Sequence, residues 1–339
     1  MRRGFRLTAT LFIAAGLLAG GCTKQEPAPA KDGKKKITMY LLPKKKGVPY
    51  FTSCAEGAAE AARELGNVEL IYDGPTDGSP EKSAAMIEQW TLKGADVIAV
   101  SPNNPAVLAD AMRKARARGV HVITWDADGL PDAREFFVNQ ATAKDIGYAL
   151  VDTMARDLGG DNAEGDVAIV TATLTAANQN EWMKFMRERL PAYPKLSLVA
   201  VKPSEEDQKL AFQVTQDLMK AYPNLRGVWG ISSVAFPGAA EAVKQAGAAG
   251  KVLVTGLATP NDMRGFVKDG TVRSVVLWNT VDLGYLTAYV GEAIASGKLQ
   301  AGAKTFKAGR LGAKKIDGAS VLLGDILVFT KENIDKFDF

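Results

Sequence analysis

Short apolar runs alternate with longer amphipathic segments along most of this chain, and this alternation limits its fold more than any other feature. The runs are four to six residues long and rich in Val and Ile, which is typical of strands covered on both faces. They lie at 37–42, 68–72, 97–100, 120–125, 167–171, 196–201, 227–231, 252–255 and 274–278. The segments between them have helical spacing, so the order predicts an α/β fold with parallel sheets and right-handed crossovers.

Glycines mark the positions where several of these helices should end. The predicted helices lie at 55–65, 81–93, 105–118, 178–190, 206–221, 236–246, 261–268 and 282–297. Five of them are followed by a glycine where a left-handed C-terminal cap is needed, namely Gly66, Gly94, Gly119, Gly247 and Gly270. Two short strand-like runs at 321–323 and 326–329 end the chain.

The strand–helix units form two blocks, at about 37–137 and 146–278. Each block has the size of one doubly wound domain. No Pro- or Ser-rich linker separates them. We therefore predict two doubly wound parallel-sheet lobes that are joined by several crossing segments, with a cleft between them.

The start of the chain follows a different pattern. Three arginines precede an apolar run at 7–19, which Gly20, Gly21 and Cys22 close. A basic head, a short apolar span and small residues before a cysteine predict a lipoprotein signal peptide over 1–21. The run is too short for a permanent membrane helix, which needs roughly 20 apolar residues.

Cys22 is the predicted lipidation site and becomes the N-terminus of the mature chain. The polar, basic stretch 22–36 that follows is predicted to be a disordered tether. Because Leu18 lies four residues before the cysteine, where the usual pattern has three, plain secretion and an uncleaved anchor stay open as alternatives. In each case we expect a location in the periplasm or on the outer face of the cytoplasmic membrane.

Charge and reactive residues exclude several classes of function. The formal net charge is +4, of which three charges lie in the predicted signal peptide, so the mature chain lacks the basic excess of a nucleic-acid binder. Besides Cys22 the chain has only Cys54, which we predict to be a core residue, and no intramolecular disulfide can form. The single histidine, His121, has no evident nucleophile partner, and recognisable catalytic motifs are absent from the sequence. We predict a binding protein with no cofactor and no metal site rather than an enzyme.

Polar and aromatic residues recur where the predicted strands end, which is where open α/β sheets bind ligands. Asn and Gln amides donate and accept hydrogen bonds, Asp accepts them, and Lys donates them. The C–H faces of a sugar ring pack flat on aromatic rings. The pattern therefore predicts a small, neutral, polyhydroxylated ligand. The predicted ligand-binding residues are Lys44, Tyr50, Phe51, Asn103, Trp125, Asp126, Asn178, Gln179, Trp182, Ser233, Trp278 and Asn279.

Several of these residues also have a purely structural interpretation. Trp182 can serve packing alone, Lys44 can belong to a solvated basic run, and Asn103 can be a turn residue before a proline. Asn139, at the change from one block to the next, can serve a hinge. Trp90 and Trp229, in a helix and in the middle of a strand, are predicted to be core.

The stretches that carry a family resemblance are spread over about 37–339. They include GVPYF at 47–51, VITWDAD at 122–128, NQNEW at 178–182, LWN at 277–279 and the terminal KENIDKFDF at 331–339. On these residues the chain resembles the type I periplasmic sugar-binding proteins of ABC importers, and within them the rhamnose-binding and autoinducer-2-binding group.

This resemblance implies lobes joined by three hinge segments, a ligand enclosed between them, and delivery of that ligand to an ABC transporter permease. We also expect a monomer that is held at the membrane through its N-terminal lipid. The implied first lobe comprises 37–139 and 280–300, and the second comprises 140–279 and 301–339. By resemblance, Lys44, Asp126, Asn178 and Gln179 match ligand contacts of the autoinducer-2-binding proteins.

Three departures from that pattern favour a sugar over autoinducer-2. Asn178 stands where those proteins have an aspartate, Ile231 replaces a proline, and Ser233 replaces an alanine. The first hypothesis is therefore a receptor for a neutral, rhamnose-like sugar that feeds an ABC importer. Autoinducer-2 is the second, another pentose or hexose the third, and a signalling role with the same fold stays open.

Overall fold

The first strand shows how the sequence builds a sheet with two covered faces. In β1 (Ile37–Leu42), Met39 and Leu41 enter one hydrophobic core, and Tyr40 and Leu42 enter another. Successive side chains of a strand point to opposite faces, so a continuous apolar run requires cover on both sides. The computed structural model describes residues 35–339, which form one compact unit. The predicted signal peptide, Cys22 and most of the tether lie outside the described residues.

Strands and helices alternate through most of the described chain, as predicted. The strands are β1 (Ile37–Leu42), β2 (Val68–Tyr72), β3 (Val97–Val100), β4 (His121–Trp125), β5 (Phe137–Asn139), β6 (Gly165–Thr171), β7 (Leu196–Pro203), β8 (Leu225–Gly230), β9 (Leu253–Gly256), β10 (Val275–Leu277), β11 (Thr305–Lys307), β12 (Ala313–Asp317), β13 (Ser320–Leu322) and β14 (Leu327–Phe329). The helices are α1 (Pro49–Leu65), α2 (Pro80–Leu92), α3 (Pro105–Ala117), α4 (Ala143–Asp157), α5 (Ala177–Arg189), α6 (Gln208–Ala221), α7 (Ala235–Gln245), α8 (Pro260–Lys268) and α9 (Thr280–Ala295).

The first sheet has eight strands in the order β11-β12-β13-β5-β4-β3-β1-β2. The strands from β13 to β2 are parallel, and β12 and β11 add an antiparallel edge. Helices α1 and α9 pack together on this sheet, and α2 and α3 form a second pair. The core beneath α2 and α3 includes Trp90, whose ring stacks on Tyr40 at 4.6 Å between centroids.

The second sheet has four parallel strands in the order β7-β6-β8-β9. The helix pairs α4–α5 and α6–α7 pack around it. Strands β10 and β14 form a separate antiparallel ribbon, which a bridge between Leu257 and Val276 joins to the end of β9. Trp229 in β8 is buried, and its Nε1 donates to Leu150 O at 2.9 Å, as expected for a core residue.

The chain passes between the two sheets three times. The first crossing joins β5 to α4, the second joins β10 to α9, and the third joins β13 to β14. Each crossing starts at the carboxyl end of a strand, which brings the three segments close to the same edges of the two sheets. The fold is thus α/β with two parallel-sheet lobes.

The sheet pairing corrects one implied lobe boundary. Residues 301–339 were assigned to the second lobe, but β11, β12 and β13 belong to the first sheet, where Val321 pairs with Val138. Only the last part of the chain lies with the second sheet: β14 pairs with β10, and Asn261 N donates to Phe339 O at 3.1 Å. Val321 is fully buried in this position.

Two glycines let α1 and α9 cross at very short distance. A Cβ added to Gly57 would lie 1.8 Å from Val281 O, and one added to Gly284 would lie 1.7 Å from Cys54 O. Cys54 is fully buried at this crossing, and burial raises the pKa of its thiol well above the usual value. It is therefore a core residue, as predicted.

The glycines predicted to cap helices also agree with the structure. Gly66 caps α1 at φ +75°, and the other four predicted cap glycines also have positive φ. Within residues 35–339, none of the helices has the length and apolar character needed to cross a bilayer.

Candidate ligand-binding site

The carboxyl ends of strands from both sheets surround a cavity of about 320 Å³. Residues after β1, β3 and β4 line it from the first sheet, and residues after β6, β7 and β8 line it from the second. Its wall includes Lys44, Lys45, Tyr50, Phe51, Asp77, Asn103, Asp126, Asn178, Gln179, Trp182, Glu205, Glu206, Ile231, Ser232, Ser233 and Trp278. This volume lies at the lower end of the range for small-molecule sites.

Asp126 is the centre of a buried hydrogen-bond network in this cavity. Its Oδ1 accepts from the Tyr50 hydroxyl at 2.8 Å, and its Oδ2 accepts from Ser101 Oγ at 2.8 Å. Lys44 Nζ lies 3.1 Å from Oδ2, and both side chains are largely buried. The carboxylate therefore has a matched set of donors and a compensating charge.

The backbone at Asp126 is held in an unusual conformation. Its φ is +62°, in the left-handed region that non-glycine residues seldom adopt. Gln140 Nε2, from the first crossing, donates to Asp126 O at 3.1 Å. This bond connects the strained backbone of Asp126 to the first crossing, the segment that joins the two sheets.

Aromatic rings form the apolar side of the cavity. Trp278 lies edge-to-face with Tyr50, at 6.1 Å between ring centroids, and beside Trp182, at 6.2 Å. Trp278 Nε1 donates to the Tyr50 hydroxyl at 3.0 Å. The hydroxyl thus accepts from the indole and donates to Asp126, and burial next to this carboxylate raises the Tyr50 pKa well above its usual value.

The first turn of α5 supplies two side-chain amides to the cavity wall on the side of the second sheet. Gln179 Oε1 accepts from Thr171 Oγ1 at 2.5 Å and from Ala172 N at 2.8 Å. These bonds occupy the oxygen and fix the carboxamide, with its NH₂ group as the remaining hydrogen-bonding group. Asn178 Oδ1 accepts from Gln179 N, the next residue of the helix, at 3.0 Å.

Two neighbouring lysines of the first sheet contact the second. Lys44 Nζ donates to Asn178 Oδ1 at 3.3 Å, and Lys45 Nζ donates to Glu206 O at 3.2 Å. Both lysines follow β1, and both acceptors belong to segments that follow strands of the second sheet. The loop after β1 therefore connects the two walls of the cavity.

Ten of the twelve predicted residues line the cavity together. They are Lys44, Tyr50, Phe51, Asn103, Asp126, Asn178, Gln179, Trp182, Ser233 and Trp278. Their role as ligand contacts stays a prediction.

The structure places the other two predicted residues outside the cavity wall. Trp125 is fully buried behind Phe51, at 5.7 Å between ring centroids, and its Nε1 donates to Ala99 O at 3.3 Å. Asn279 caps α9, because its Oδ1 accepts from Asp282 N at 3.0 Å. These residues thus have packing and capping roles, which corrects their predicted placement.

Sequence reasoning missed several cavity residues, including Lys45 and Glu206. Glu206 was assigned to the start of a helix, but α6 begins two residues later, at Gln208 with Asp207 as its N-cap. The available signal was its position only five residues beyond the carboxyl end of the predicted strand at 196–201. In residues 35–339 no group of three or more His, Cys, Asp or Glu side chains is arranged to hold a metal ion.

Comparison with known proteins agrees with this architecture. Residues 39–299 match the family model described as a periplasmic binding protein domain. The ribose import binding protein RbsB of Salmonella typhimurium is 25% identical over 296 residues, which cover 86% of this chain and 94% of the relative.

Two solved structures show the same fold. LsrB from Clostridium saccharobutylicum, in complex with AI-2, superposes with a TM-score of 0.85 at 26% identity, covering 89% of this chain and 100% of that one. An ABC transporter solute-binding protein from Clostridium phytofermentas with bound L-rhamnose gives 0.81 at 27% identity, covering 89% and 98%.

The chain belongs to the periplasmic binding protein family. Its relatives are solute-binding proteins and not enzymes, which confirms the prediction of a binding function. The family assignment makes it a sugar-binding protein of the kind that serves ABC importers. These matches include a relative named for ribose as well as structures with AI-2 and L-rhamnose, so they do not assign the chain to the predicted rhamnose and autoinducer-2 subgroup.

Proposed function

We propose that this protein captures a neutral, rhamnose-like sugar between its two sheets and delivers it to an ABC import permease. The observation that carries the proposal is the balance of charge around Asp126. Its carboxylate is paired with Lys44 at 3.1 Å and bonded to Tyr50 and Ser101. Because these charges compensate each other, an uncharged ligand enters the cavity without leaving an unpaired buried ion.

The remaining lining supports a sugar. The amide of Gln179 and the hydroxyl of Ser233 offer hydrogen bonds to ligand hydroxyls, while Trp182 and Trp278 offer apolar surface to a ring and its methyl group. A 6-deoxy sugar presents both kinds of surface. The bound L-rhamnose of the Clostridium phytofermentas relative is in keeping with this choice.

Autoinducer-2 is the second candidate. Lys44, Asp126 and Gln179 line the cavity here, and by the resemblance they correspond to contact positions of the autoinducer-2-binding proteins. LsrB also has the higher TM-score of the two structures compared. Asn178 argues against it, since an amide replaces a carboxylate at one of those positions. Ile231 and Ser233, which also line the cavity, are the two further departures.

Calorimetry distinguishes the candidates. The mature chain would be titrated with L-rhamnose, other neutral pentoses and hexoses including ribose, and autoinducer-2. We expect L-rhamnose to bind with a Kd below about 100 μM, near −5.5 kcal/mol. Binding of autoinducer-2 in that range, with no sugar bound, would overturn the proposal.

We also propose that Cys22 carries a lipid that holds the protein at the outer face of the cytoplasmic membrane. The support is the sequence pattern of residues 1–22 alone. Fractionation of cells that express the full chain should place it with the membranes, and Cys22→Ser should release it. Recovery of the unchanged protein in the soluble fraction would contradict lipidation. Genes for a permease and an ATPase beside this one would support delivery to an importer.

A further inference from the structure

Glu206 is a carboxylate in the cavity that the proposed function has not used. It follows β7 and lines the cavity from the second sheet, whereas Asp126 lines it from the first. The two acidic side chains therefore face one enclosed space from the two lobes.

The Glu206 side chain has little hydrogen bonding of its own. Its Oε2 accepts from Ser232 Oγ at 3.4 Å, which is long for such a bond. Lys45, on the opposite wall, bonds instead to the main-chain oxygen of Glu206 at 3.2 Å. The carboxylate of Asp126, in contrast, accepts two hydroxyl bonds and a lysine contact. Glu206 thus has acceptor capacity left over inside the cavity.

The backbone holds Glu206 in this position. Its φ is +52°, and that of Glu205 is +50°, so two consecutive non-glycine residues adopt the left-handed conformation. Residues held in such regions are concentrated at binding sites. The Lys45 bond to Glu206 O fixes the same turn from the other lobe.

We propose that Glu206 is a specificity-determining residue that accepts hydrogen bonds from ligand hydroxyls, opposite Asp126. This inference rests on the proposed sugar-binding function. The ligand class is then a neutral sugar with hydroxyl groups directed to both walls of the cavity. A ligand hydroxyl is a suitable partner because it donates to a carboxylate and brings no second charge.

The charges around Glu206 explain why a neutral ligand is selected. Lys44 and Lys45 face it from the loop after β1 and Asp126 faces it from the end of β4, with Ser232 beside it after β8. Burial is the largest influence and raises the pKa of Glu206, the two lysines oppose this rise, and Asp126 adds to it. The two carboxylates and the two ammonium groups compensate each other, so a neutral ligand adds no unpaired charge to the cavity.

The test compares the Glu206→Gln variant with the wild type by calorimetry, using L-rhamnose as the probe. The substitution keeps the side-chain shape and replaces one carboxylate oxygen by a donor. We expect affinity to fall about tenfold to hundredfold, because a ligand hydroxyl loses its acceptor in a buried site. Glu164→Gln, an exposed change of the same kind near the second sheet, is the control and should bind like the wild type.

The pH dependence separates a ligand contact from a structural role. As the pH falls from neutral, the raised pKa means that Glu206 gains its proton before an ordinary glutamate does, and wild-type affinity should fall with it. The Glu206→Gln variant should lose this component, and Glu164→Gln should keep it. Wild-type affinity together with an unchanged pH profile in the Glu206→Gln variant would overturn the inference while leaving the sugar site intact. If the wild type binds no sugar at all, the proposed function itself fails.

Discussion

The Tyr50 hydroxyl connects the hydrogen-bond network of Asp126 with the indole of Trp278. This hydroxyl donates to Asp126 at 2.8 Å and accepts from Trp278 Nε1 at 3.0 Å, and the phenol is almost fully buried. One oxygen thus orients a carboxylate of the first sheet and an indole beside the second crossing. Loss of this oxygen affects both partners.

Tyr50→Phe should lower the free energy of unfolding by about 1–3 kcal/mol, because the Trp278 indole N–H is left buried without an acceptor. Sugar affinity should fall as well, since Asp126 loses one of its donors. Denaturant unfolding and calorimetry would measure the two effects. Tyr148→Phe, which removes a hydroxyl bond to Glu188 near the surface, is the matched control and should change neither quantity measurably.

Asp126→Asn should weaken ligand binding by at least about tenfold, a loss of roughly 1.4 kcal/mol or more. The substitution leaves Lys44 buried without its counter-ion and replaces an acceptor of the Tyr50 or Ser101 hydroxyl by a donor. Asn tolerates the left-handed backbone at this position, so the variant should remain folded. Unchanged affinity in a folded variant would exclude Asp126 from the ligand site.

At the residue scale, the sequence predicted the wall of the cavity better than the direction of individual side chains. Asp126 and Trp278 directly follow strands, where chain position alone places them at the sheet edge. Trp125 is the last residue of β4, and strand alternation turns its ring into the core behind Phe51. Which face of a strand end meets the ligand depends on the packing of α1, which the sequence does not specify.

At the scale of elements, the crossing of α1 and α9 is the tightest helix contact described. Gly57 and Gly284 form a reciprocal pair, each at the backbone of the other helix. Helix α9 follows the strands of the second sheet in the chain, so this contact packs it back onto the first lobe. It also positions Tyr50, which lies in the first turn of α1.

Gly284→Ala should lower the free energy of unfolding by about 1–3 kcal/mol or more, because the new methyl group overlaps Cys54 O and the helices must separate. Gly265→Ala in α8 is the control. A Cβ at Gly265 would meet nothing within 4 Å, so this change should be neutral or stabilising by about 0.5–1 kcal/mol. Equal stability of the two variants in denaturant unfolding would contradict the close crossing.

The limits of sequence reasoning differ between elements. Strand β1 was predicted with the bounds that the structure shows, because only Thr38 interrupts its apolar run. Strands β11 and β12 were not predicted, since both are short and carry mostly exposed polar side chains. They are recognisable as strands only through their pairing, of β12 with β13 and of β11 with β12, which local pattern does not reveal.

At the scale of the whole molecule, the loop after β1 connects the two lobes across the cavity. Lys44 contacts Asn178 and Lys45 contacts the main chain of Glu206. Such contacts exist only while the two walls are close, so they favour the closed arrangement over any open one. A ligand that touches both walls adds to the same preference.

Lys45→Ala should weaken sugar binding by about three- to tenfold, the value of one hydrogen bond. The ligand-free variant should also show a larger radius of gyration in X-ray scattering, and excess ligand should reduce it again. Lys144→Ala, an exposed lysine of α4 whose Nζ lies 3.9 Å from Glu188, is the control. If the Lys45 variant has the affinity and the scattering of the wild type, the contact does not bias closure.

The sheet order has a consequence for how this chain acquires its structure. The first sheet is begun by β1 at residue 37 and is extended by β11, β12 and β13 near the end of the chain, with the second sheet encoded in between. The edge of β5 that contains Val138 is paired only when Val321 in β13 is present. Contacts so distant in sequence slow folding. The first sheet of a nascent chain therefore remains incomplete until β13, at residues 320–322, has been synthesised.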